Sequence, residues 1–467
     1  MLHRQRIARL VGAGLFAGLV GAARFAHANG ALPSVDQLLV DPTSPDHLYL
    51  RATFGLLRSF DSGQSWDWLC EGGMGYVDLQ PPMAVLPGGT VLLAIPEGVS
   101  RGDPSGCDFQ RAGGIDANVI DLARIAAEPG SAVAVSISGT VSQLWRTDDD
   151  GRSFAALGEP IEGLIATTVD VAPSNPKVIY LSGLANTQGV LLRSSDGGKT
   201  FERFAVPNTT TGRRPYIAAV NPSDAGTVYV RLVGVNVSLE VTRDGGRSFS
   251  TVLQTTTAVQ GFALSPDGKT VLASNGYDGM FRASTDDYVF EKIACGGRAC
   301  LNWSDAGLFG CGDDGLDGYV VGRSDDDGAT FARVIDLGCV NGPPACADGT
   351  SVGAACPAAW PLVEQQIGAG ACMPRDVPPY TGCFGGAGET DATGATGGTG
   401  GGTGAGAGGR AGAGGSKTAA PRDGADSGGG CSTAGRDTPG ALATLVLALG
   451  ALVRRRPRGA RRATREP

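Results

Sequence analysis

An eight-residue motif that recurs at regular intervals constrains this sequence more than any other feature. Five copies share the pattern Ser/Thr-x-Asp-x-Gly-x-Ser/Thr-aromatic: SFDSGQSW (59–66), TDDDGRSF (147–154), SSDGGKTF (194–201), TRDGGRSF (242–249) and SDDDGATF (324–331). Two degenerate copies, around Asp103 and Asp286, occupy the remaining gaps. The seven acidic positions are 40 to 48 residues apart. Such a period indicates seven structural units of one kind.

Each unit also contains the same order of strand-like segments. An apolar stretch runs into a turn rich in Pro, Asn and Asp, and a β-branched and aromatic segment follows, as in IATTVDVAPSNPKVIYLSG (165–183). A third segment ends in the motif, and a fourth follows it. No helical pattern of the length found in α/β units separates these segments. Four short antiparallel strands per unit are typical of a propeller blade, so we predict an all-β, seven-bladed β-propeller over 29–338.

The motif resembles the Asp box, or BNR repeat, of bacterial sialidases, sortilin-type receptors and the photosystem II assembly propeller. In those families the box joins the third and fourth strands of a blade, on the face away from the ligand. The resemblance therefore implies a structural role. Glycine permits the positive φ of a tight turn, Asp accepts hydrogen bonds from turn N–H groups, and the aromatic side chain is expected between blades. The residues assigned to this role are Asp61, Gly63, Trp66, Asp149, Gly151, Phe154, Asp196, Gly198, Phe201, Asp244, Gly246, Phe249, Asp326, Gly328 and Phe331.

The sequence favours a non-catalytic propeller that binds or displays a glycan or protein ligand. Outside residues 1–28 it contains a single histidine, His47, which argues against Ser-His-Asp and Cys-His catalysis. A sialidase-like enzyme or another glycoside hydrolase is the enzyme alternative that the resemblance implies. The Phe/Tyr-Arg-Ile-Pro signature of sialidases is missing near the first unit, which starts SVDQLLVDP (34–42). A structural cell-envelope protein is the third alternative.

The face opposite the motifs is the expected ligand-binding face. We expect its contacts to come from loops, with TTTGRRPY (209–216) forming a loop between blades. The candidate contact residues are Arg213, Arg214, Tyr216, Tyr277 and Trp303. No cofactor is otherwise predicted, but a calcium ion is an alternative in CGDDGLDG (311–318), where the carboxylates of Asp313, Asp314 and Asp317 would surround it.

Residues 1–28 are predicted to be a secretory signal peptide. Arg4, Arg6 and Arg9 precede the apolar run 10–23, and the small residues of AHA (26–28) offer a cleavage site. An uncleaved membrane anchor is the alternative.

The cysteine count agrees with export. Ten of the eleven cysteines lie in 29–384, an even number that allows five disulfides in an oxidising compartment. Five of them fall in 339–383 and predict a disulfide-stapled, Cys-rich module over 339–384. A link between this module and Cys311 is one pairing that the spacing allows, but spacing alone does not determine connectivity.

The last part of the chain resembles the myxobacterial C-terminal sorting tail. A Gly-rich linker (385–430) leads to Cys431, the apolar stretch 441–453 and an Arg cluster within 454–462. The resemblance implies that a protease cuts the sorting tail (431–467) after Cys431, removes 432–467 and leaves Cys431 as the lipid-bearing end. It also implies export machinery as a partner and an anchored position on the outer cell surface. The alternative is an ordinary tail-anchored helix.

The charge balance excludes some partners. Removal of 1–28 and 432–467 takes away twelve arginines and two acidic residues, leaving 26 basic and 44 acidic side chains, a net charge of about −18. A strongly acidic body disfavours nucleic acid and anionic membrane surfaces as partners. Membrane contact is therefore expected only through the C-terminal tail or a lipid on Cys431.

Overall fold

The computed structural model describes residues 33–372 and forms seven four-stranded antiparallel sheets. Each sheet consists of four consecutive strands, here called a blade. Blades 1 to 3 are β1 (Val35–Asp41), β2 (Ser44–Ala52), β3 (Gly55–Ser59) and β4 (Asp67–Leu69); β5 (Met83–Val85), β6 (Val91–Ile95), β7 (Gly98–Gly102) and β8 (Phe109–Arg111); and β9 (Val119–Arg124), β10 (Ala132–Ser138), β11 (Val141–Thr147) and β12 (Ala155–Glu162).

The remaining blades have the same order. Blades 4 and 5 are β13 (Ile165–Val171), β14 (Ile179–Ala185), β15 (Gln188–Ser194) and β16 (Glu202–Ala205); and β17 (Arg213–Val220), β18 (Val228–Gly234), β19 (Ser238–Thr242) and β20 (Ser250–Gln254). Blades 6 and 7 are β21 (Gly261–Leu264), β22 (Thr270–Asn275), β23 (Gly279–Ser284) and β24 (Glu291–Ala294); and β25 (Leu301–Ser304), β26 (Gly307–Cys311), β27 (Val321–Ser324) and β28 (Ala332–Ile335).

The blades form a closed ring around a central channel. The first strand of each blade packs against the first strand of the next, from β1 through β5, β9, β13, β17 and β21 to β25. Strand β25 in turn contacts β1, so blade 7 meets blade 1. The predicted seven-bladed propeller is therefore confirmed. The predicted signal peptide (1–28), Gly-rich linker (385–430) and sorting tail (431–467) lie outside the described residues.

Strand direction divides the turns between two faces. Because the four strands of a blade are antiparallel, the turns between strands 1 and 2 and between strands 3 and 4 lie on one face. All seven motif copies, including the degenerate ones at Asp103 and Asp286, are turns between strands 3 and 4. We call this side the motif face. The turns between strands 2 and 3 and the connections between blades form the opposite face.

The motif glycines pack each blade against the one before it. A Cβ atom built on Gly198 of blade 4 would come within 2.8 Å of the Cδ2 atoms of Leu144 and Leu157 in blade 3. The same relation holds at the seam that closes the ring, where a Cβ on Gly63 would lie 2.5 Å from Val334 of blade 7. Glycine is required at these positions for two reasons. A Cβ atom would clash with the preceding blade, and Gly63 and Gly198 have φ of 89° and 90°, which other residues rarely adopt.

A strap of residues 340–372 crosses from blade 7 back over blades 1 and 2. Its first residues extend blade 1, since the Asn341 N–H donates to the Trp66 carbonyl and the Trp68 N–H to the Gly342 carbonyl. It continues into the helix α1 (Ser351–Ile367), capped by the Thr350 side chain. Two short 3₁₀ turns, Glu71–Met74 and Leu337–Cys339, flank these contacts. Among residues 33–372, no helix is long and apolar enough to cross a bilayer.

Disulfides hold the strap in place. Cys356 bonds to Cys70, which immediately follows the last strand of blade 1, and Cys346 bonds to Cys107 in the degenerate motif of blade 2. The end of the strap, Cys372, bonds to Cys339, the residue that precedes the strap. The suggested link from this region to Cys311 is wrong: Cys311, the last residue of β26, bonds to Cys300, which immediately precedes β25. The pairing of β25 with β26 brings their Cα atoms within 4.9 Å. Such bonds indicate folding in an oxidising compartment.

Candidate binding face

The five regular motifs use their polar side chains within the turn. In each, the first hydroxyl donates to Asp Oδ1 at 2.7 to 2.9 Å and accepts the glycine N–H at 2.8 to 3.0 Å. The same Asp Oδ1 accepts the N–H of the seventh residue, and Oδ2 accepts its hydroxyl. The motif carboxylates are therefore committed to local structure.

These bonds also stabilise the ionised form of the carboxylates. Donors from Thr200 and Ser194 hold the pKa of Asp196 well below its usual range. Donors from Ser248 and Thr242 lower the pKa of Asp244 to about 2. A carboxylate that accepts several hydrogen bonds is a weaker base than a free one, so a motif Asp is poorly suited to proton transfer.

The predicted contacts Arg213, Arg214 and Tyr216 do not form a loop between blades. All three lie on β17, the innermost strand of blade 5, paired with β18. The loop ends earlier than the sequence predicted, because it closes at the Thr210–Arg213 bridge and Arg213 already pairs with Gly234 of β18. Arg213 is already engaged, donating to the Ser238 hydroxyl at 2.8 Å and to the Asn208 carbonyl at 3.1 Å.

Tyr216 lies beside an arginine that links two blades, a role that the sequence analysis did not identify. It pairs across the strands with Arg231, whose guanidinium donates to the carbonyls of Val259 and Gln260 in the connection to the next blade. In blade 1, Arg51 makes the equivalent link to Gln80 and Pro81. Arginine on a second strand thus ties one blade to the next.

Two carboxylates on innermost strands, Asp121 and Asp170, bond to the backbone of the next blade. Burial raises the pKa of Asp121 to about 7, although backbone N–H groups of Val169 and Leu122 oppose this effect. Burial likewise raises the pKa of Asp170 to about 6, against hydrogen bonds from Val171 and Val220. Because Val169 and Val220 belong to the following blades, these carboxylates satisfy the unpaired edges of neighbouring inner strands.

The Asp313–Asp317 segment forms a hydrogen-bonded turn on the opposite face. Asp313 Oδ1 accepts the N–H groups of Gly315 and Leu316 at 2.9 Å, and Asp317 pairs with Arg298 at 3.0 Å. Asp314 Oδ1 accepts the Leu337 N–H at 3.3 Å. No group of three or more His, Cys, Asp or Glu side chains within the described part of the chain is placed to hold a metal ion. Calcium at this turn stays a prediction.

Exposed apolar side chains mark the opposite face on three consecutive blades. Val235, Tyr277 and Leu316 occupy the turns between strands 2 and 3 of blades 5, 6 and 7, and they are 66%, 43% and 56% exposed. Val77 and Leu79, in the connection from blade 1 to blade 2, add exposed apolar surface on the same face. Exposed apolar patches of this kind are typical of interaction sites.

The turn that carries Tyr277 is held by its own side chains. Asn275 Oδ1 accepts the N–H of Tyr277 at 2.9 Å, and the carboxylate of Asp278 accepts both the N–H and the hydroxyl of Thr256 at 2.7 Å. Burial opposes ionisation of Asp278, but the donors from Thr256 and Asn275 outweigh it and lower its pKa. Tyr277, a predicted contact residue, is thus presented to solvent on a preformed turn.

Trp303 is placed differently from the other candidates. It lies on the innermost strand β25, half-buried against Leu272, Met280 and Leu308 at the seam between blades 6 and 7. The structure therefore places Tyr277 on the same face as Val235 and Leu316, whereas Trp303 packs between two blades. The sequence analysis did not identify Val235 or Leu316. Each is an apolar residue among turn residues, in GVNVS (234–238) and GLDG (315–318), and this pattern could have indicated them.

Comparisons with known proteins show distant structural similarity. No family model and no curated protein matches the chain. Among solved structures, a GH74 enzyme of Niastella koreensis is 17% identical with a TM-score of 0.43, covering 56% of this chain and 46% of its own. The extracellular domain assigned to a hybrid two-component system of B. thetaiotaomicron is 11% identical with a TM-score of 0.45, covering 61% and 37%.

A third structure, the GH74 xyloglucanase of Xanthomonas campestris, is 18% identical with a TM-score of 0.36 and covers 68% of this chain and 57% of its own. The chain therefore spans less than two thirds of the length of each of these structures. At such identities an activity does not carry over from one propeller to another.

Proposed function

We propose that this protein is an exported, non-catalytic propeller that binds a protein ligand through its opposite face. The observation that carries the proposal is the exposure of Val235, Tyr277 and Leu316 on three consecutive blades. Two of these side chains are held by hydrogen-bonded turns, so little conformational freedom is lost when a partner covers them.

The chemistry of the face favours a protein ligand over a glycan. Two of its three apolar side chains are aliphatic, and an aliphatic side chain offers no flat surface on which a sugar ring can stack. Protein interfaces accept mixed aromatic and aliphatic contacts with a polar rim. Polar side chains of the turns that carry these residues would supply such a rim.

The non-catalytic part of the proposal is supported by how the charged groups are used. The motif carboxylates are bound to their own turns, and Asp121 and Asp170 accept backbone N–H groups of neighbouring blades. Arg213 and Arg231 likewise donate to groups of the fold. We infer from the shared bonding pattern that the five motifs are Asp boxes in the structural sense.

Export and anchoring complete the proposal. Residues 1–28 would direct export, and the four disulfides among the described residues support an oxidising destination. Cys431 would become the lipid-bearing end after a sorting protease removes 432–467.

Binding of the labelled mature protein to intact cells tests the ligand class. We expect binding to disappear after surface proteolysis and to survive periodate oxidation of surface glycans. The double variant Tyr277→Ala, Leu316→Ala should weaken binding at least about tenfold, since central apolar contacts dominate interface energy. Val289→Ala, which is 64% exposed on the motif face, is the matched control. The proposal would be refuted if the double variant bound as well as the parent, or if the binding that the double variant weakens were sensitive to periodate.

Anchoring is tested separately with Cys431→Ala. The variant should appear in the medium or retain the mass of the unprocessed tail. Unchanged surface retention together with an unchanged mass would show that Cys431 has no part in anchoring.

A further inference from the structure

The contact between blades 5 and 6 differs from the other contacts between blades. Where a blade has a regular motif, the motif glycine packs directly against the preceding blade, as Gly246 does against Phe204. The degenerate motif of blade 6, STDDYVF (284–290), is one residue shorter and has Tyr288 where the glycine stands elsewhere. Beside it lies a cavity of about 470 Å³, within the usual size range of small-molecule sites.

Tyr288 has a backbone conformation that its side chain disfavours. Its φ is 54°, and every other residue of 33–372 with positive φ is Gly, Ser, Asp or Asn. A bulky residue in this region is a genuine outlier, and such strain is concentrated at functional sites. The surrounding contacts maintain it: the Tyr288 hydroxyl is 2.8 Å from that of Tyr229, and the Arg243 guanidinium lies 4.7 Å from its ring centroid.

The cavity combines one cation, carboxylates, hydroxyls and apolar surface. Its lining includes Arg243, Ser250, Val252, Asp286, Asp287 and Tyr288. Arg243 donates through Nη2 to the carbonyls of Thr285 and Asp286, which leaves its other donors for a ligand. Asp287 accepts the Val289 N–H, whereas the side chains of Asp286 and Ser250 have no hydrogen bond within the described structure.

This mixture restricts the class of ligand. A phosphate or carboxylate ligand would be repelled by Asp286 and Asp287, and an ammonium ligand by Arg243. A wholly apolar ligand would leave these charges desolvated and unpaired. A sugar hydroxyl both donates and accepts, so neighbouring hydroxyls on one ring can pair with a carboxylate and a guanidinium together.

From the strained Tyr288 and the polar cavity beside it, we propose a second binding site, for a neutral saccharide unit, between blades 5 and 6 on the motif face. Tyr288 forms an aromatic wall of the site, Arg243 and Asp286 bind vicinal hydroxyls, and Val252 contacts the ring carbons. The site is independent of the protein-binding surface proposed above, since the two lie on opposite faces.

Calorimetric titration of the purified mature protein with neutral mono-, di- and trisaccharides of glucose, galactose, mannose, xylose and N-acetylglucosamine tests the site. We expect at least one series to bind. Tyr288→Gly should fold, because glycine suits φ of 54°, and should weaken binding at least about tenfold through loss of the aromatic wall. Asp286→Asn should weaken it less, since the amide retains one acceptor.

Tyr277→Ala on the opposite face is the matched control and should bind saccharide as the parent does. The proposal is overturned if no saccharide of the panel binds, if Tyr288→Gly binds as tightly as the parent, or if free amino acids compete with the saccharide. A Tyr288→Gly protein that fails to fold would also contradict the account, because it would show that Tyr288 is required for packing. Failure of this titration leaves the cell-binding result for Tyr277 and Leu316 unaffected.

Discussion

Cys70 and Cys356 are 286 residues apart in the sequence, yet their Cα atoms lie 5.2 Å apart across a disulfide. The bond joins the end of blade 1 to the helix that follows blade 7. A second bond, Cys107–Cys346, joins blade 2 to the same strap. Because every blade consists of four consecutive strands, no strand is shared between the two ends of the ring. The strap and its disulfides take over that closing role.

Removing both strap disulfides should destabilise the ring strongly. We expect the variant with Cys70, Cys356, Cys107 and Cys346 all changed to Ala to lose roughly 4 kcal/mol or more of unfolding free energy, because two long loops become unconstrained in the unfolded chain. Urea unfolding followed by tryptophan fluorescence measures the loss. Changing Cys300 and Cys311, which close an 11-residue separation, is the control and should cost less. Equal losses would show that the strap does not close the ring.

Two adjacent glycines of one motif should respond differently to alanine. Gly197 and Gly198 have φ of 80° and 90°, so each substitution strains the backbone by about 1 kcal/mol. A Cβ on Gly197 would meet nothing within 4 Å, whereas one on Gly198 would press on Leu144 and Leu157. Gly198→Ala should therefore cost about 1–3 kcal/mol more than Gly197→Ala. Thermal unfolding of both variants measures the difference; similar melting temperatures would contradict tight packing at this seam.

Stability should fall as the pH rises from about 4 to about 7. The pKa values of Asp121 and Asp170 are raised to about 7 and about 6 in the folded protein, above their unfolded values. The folded state therefore binds protons that the unfolded state has released, and this contribution is lost as the pH rises through the folded pKa values. The motif carboxylates affect stability at lower pH. Because their pKa values are lowered in the folded protein, the stability that they contribute is lost only as the pH falls below about 4.

The variant Asp121→Asn isolates the contribution of Asp121 to this pH dependence. The amide oxygen can still accept the Val169 N–H, but the side chain no longer titrates. We expect the unfolding free energy of the variant to decline less than that of the parent between pH 5 and pH 8, by on the order of 1 kcal/mol. Denaturant unfolding at both pH values gives the comparison. Parallel pH profiles would mean that Asp121 ionises normally in the folded state.

The repeat made the blade count predictable, because one rigid motif occurs once in each unit. Even the degenerate copies at Asp103 and Asp286 lie in the expected turns. The structure shows what replaces the regular motif in the two degenerate copies. The copy in blade 2 carries Cys107, which the strap covers, and the copy in blade 6 carries Tyr288, beside which a cavity remains.

The binding face was harder to predict than the fold. Whether Arg213 is on a loop or a strand depends on where β17 starts to pair with β18, and element boundaries are weakly encoded in local sequence. The disulfide partner of Cys311 depends on strand pairing in three dimensions. Exposure of Val235 and Leu316 depends on which face a turn occupies, and that is known only once the blades are in place.

The strap also determines how the molecule would carry mechanical load. Tension applied to the chain beyond Cys372 reaches blade 7 through the Cys339–Cys372 bond, blade 1 through Cys356–Cys70 and blade 2 through Cys346–Cys107. It would not peel blade 7 from the ring one hydrogen bond at a time. A propeller attached through this end would therefore distribute a pulling force over three blades.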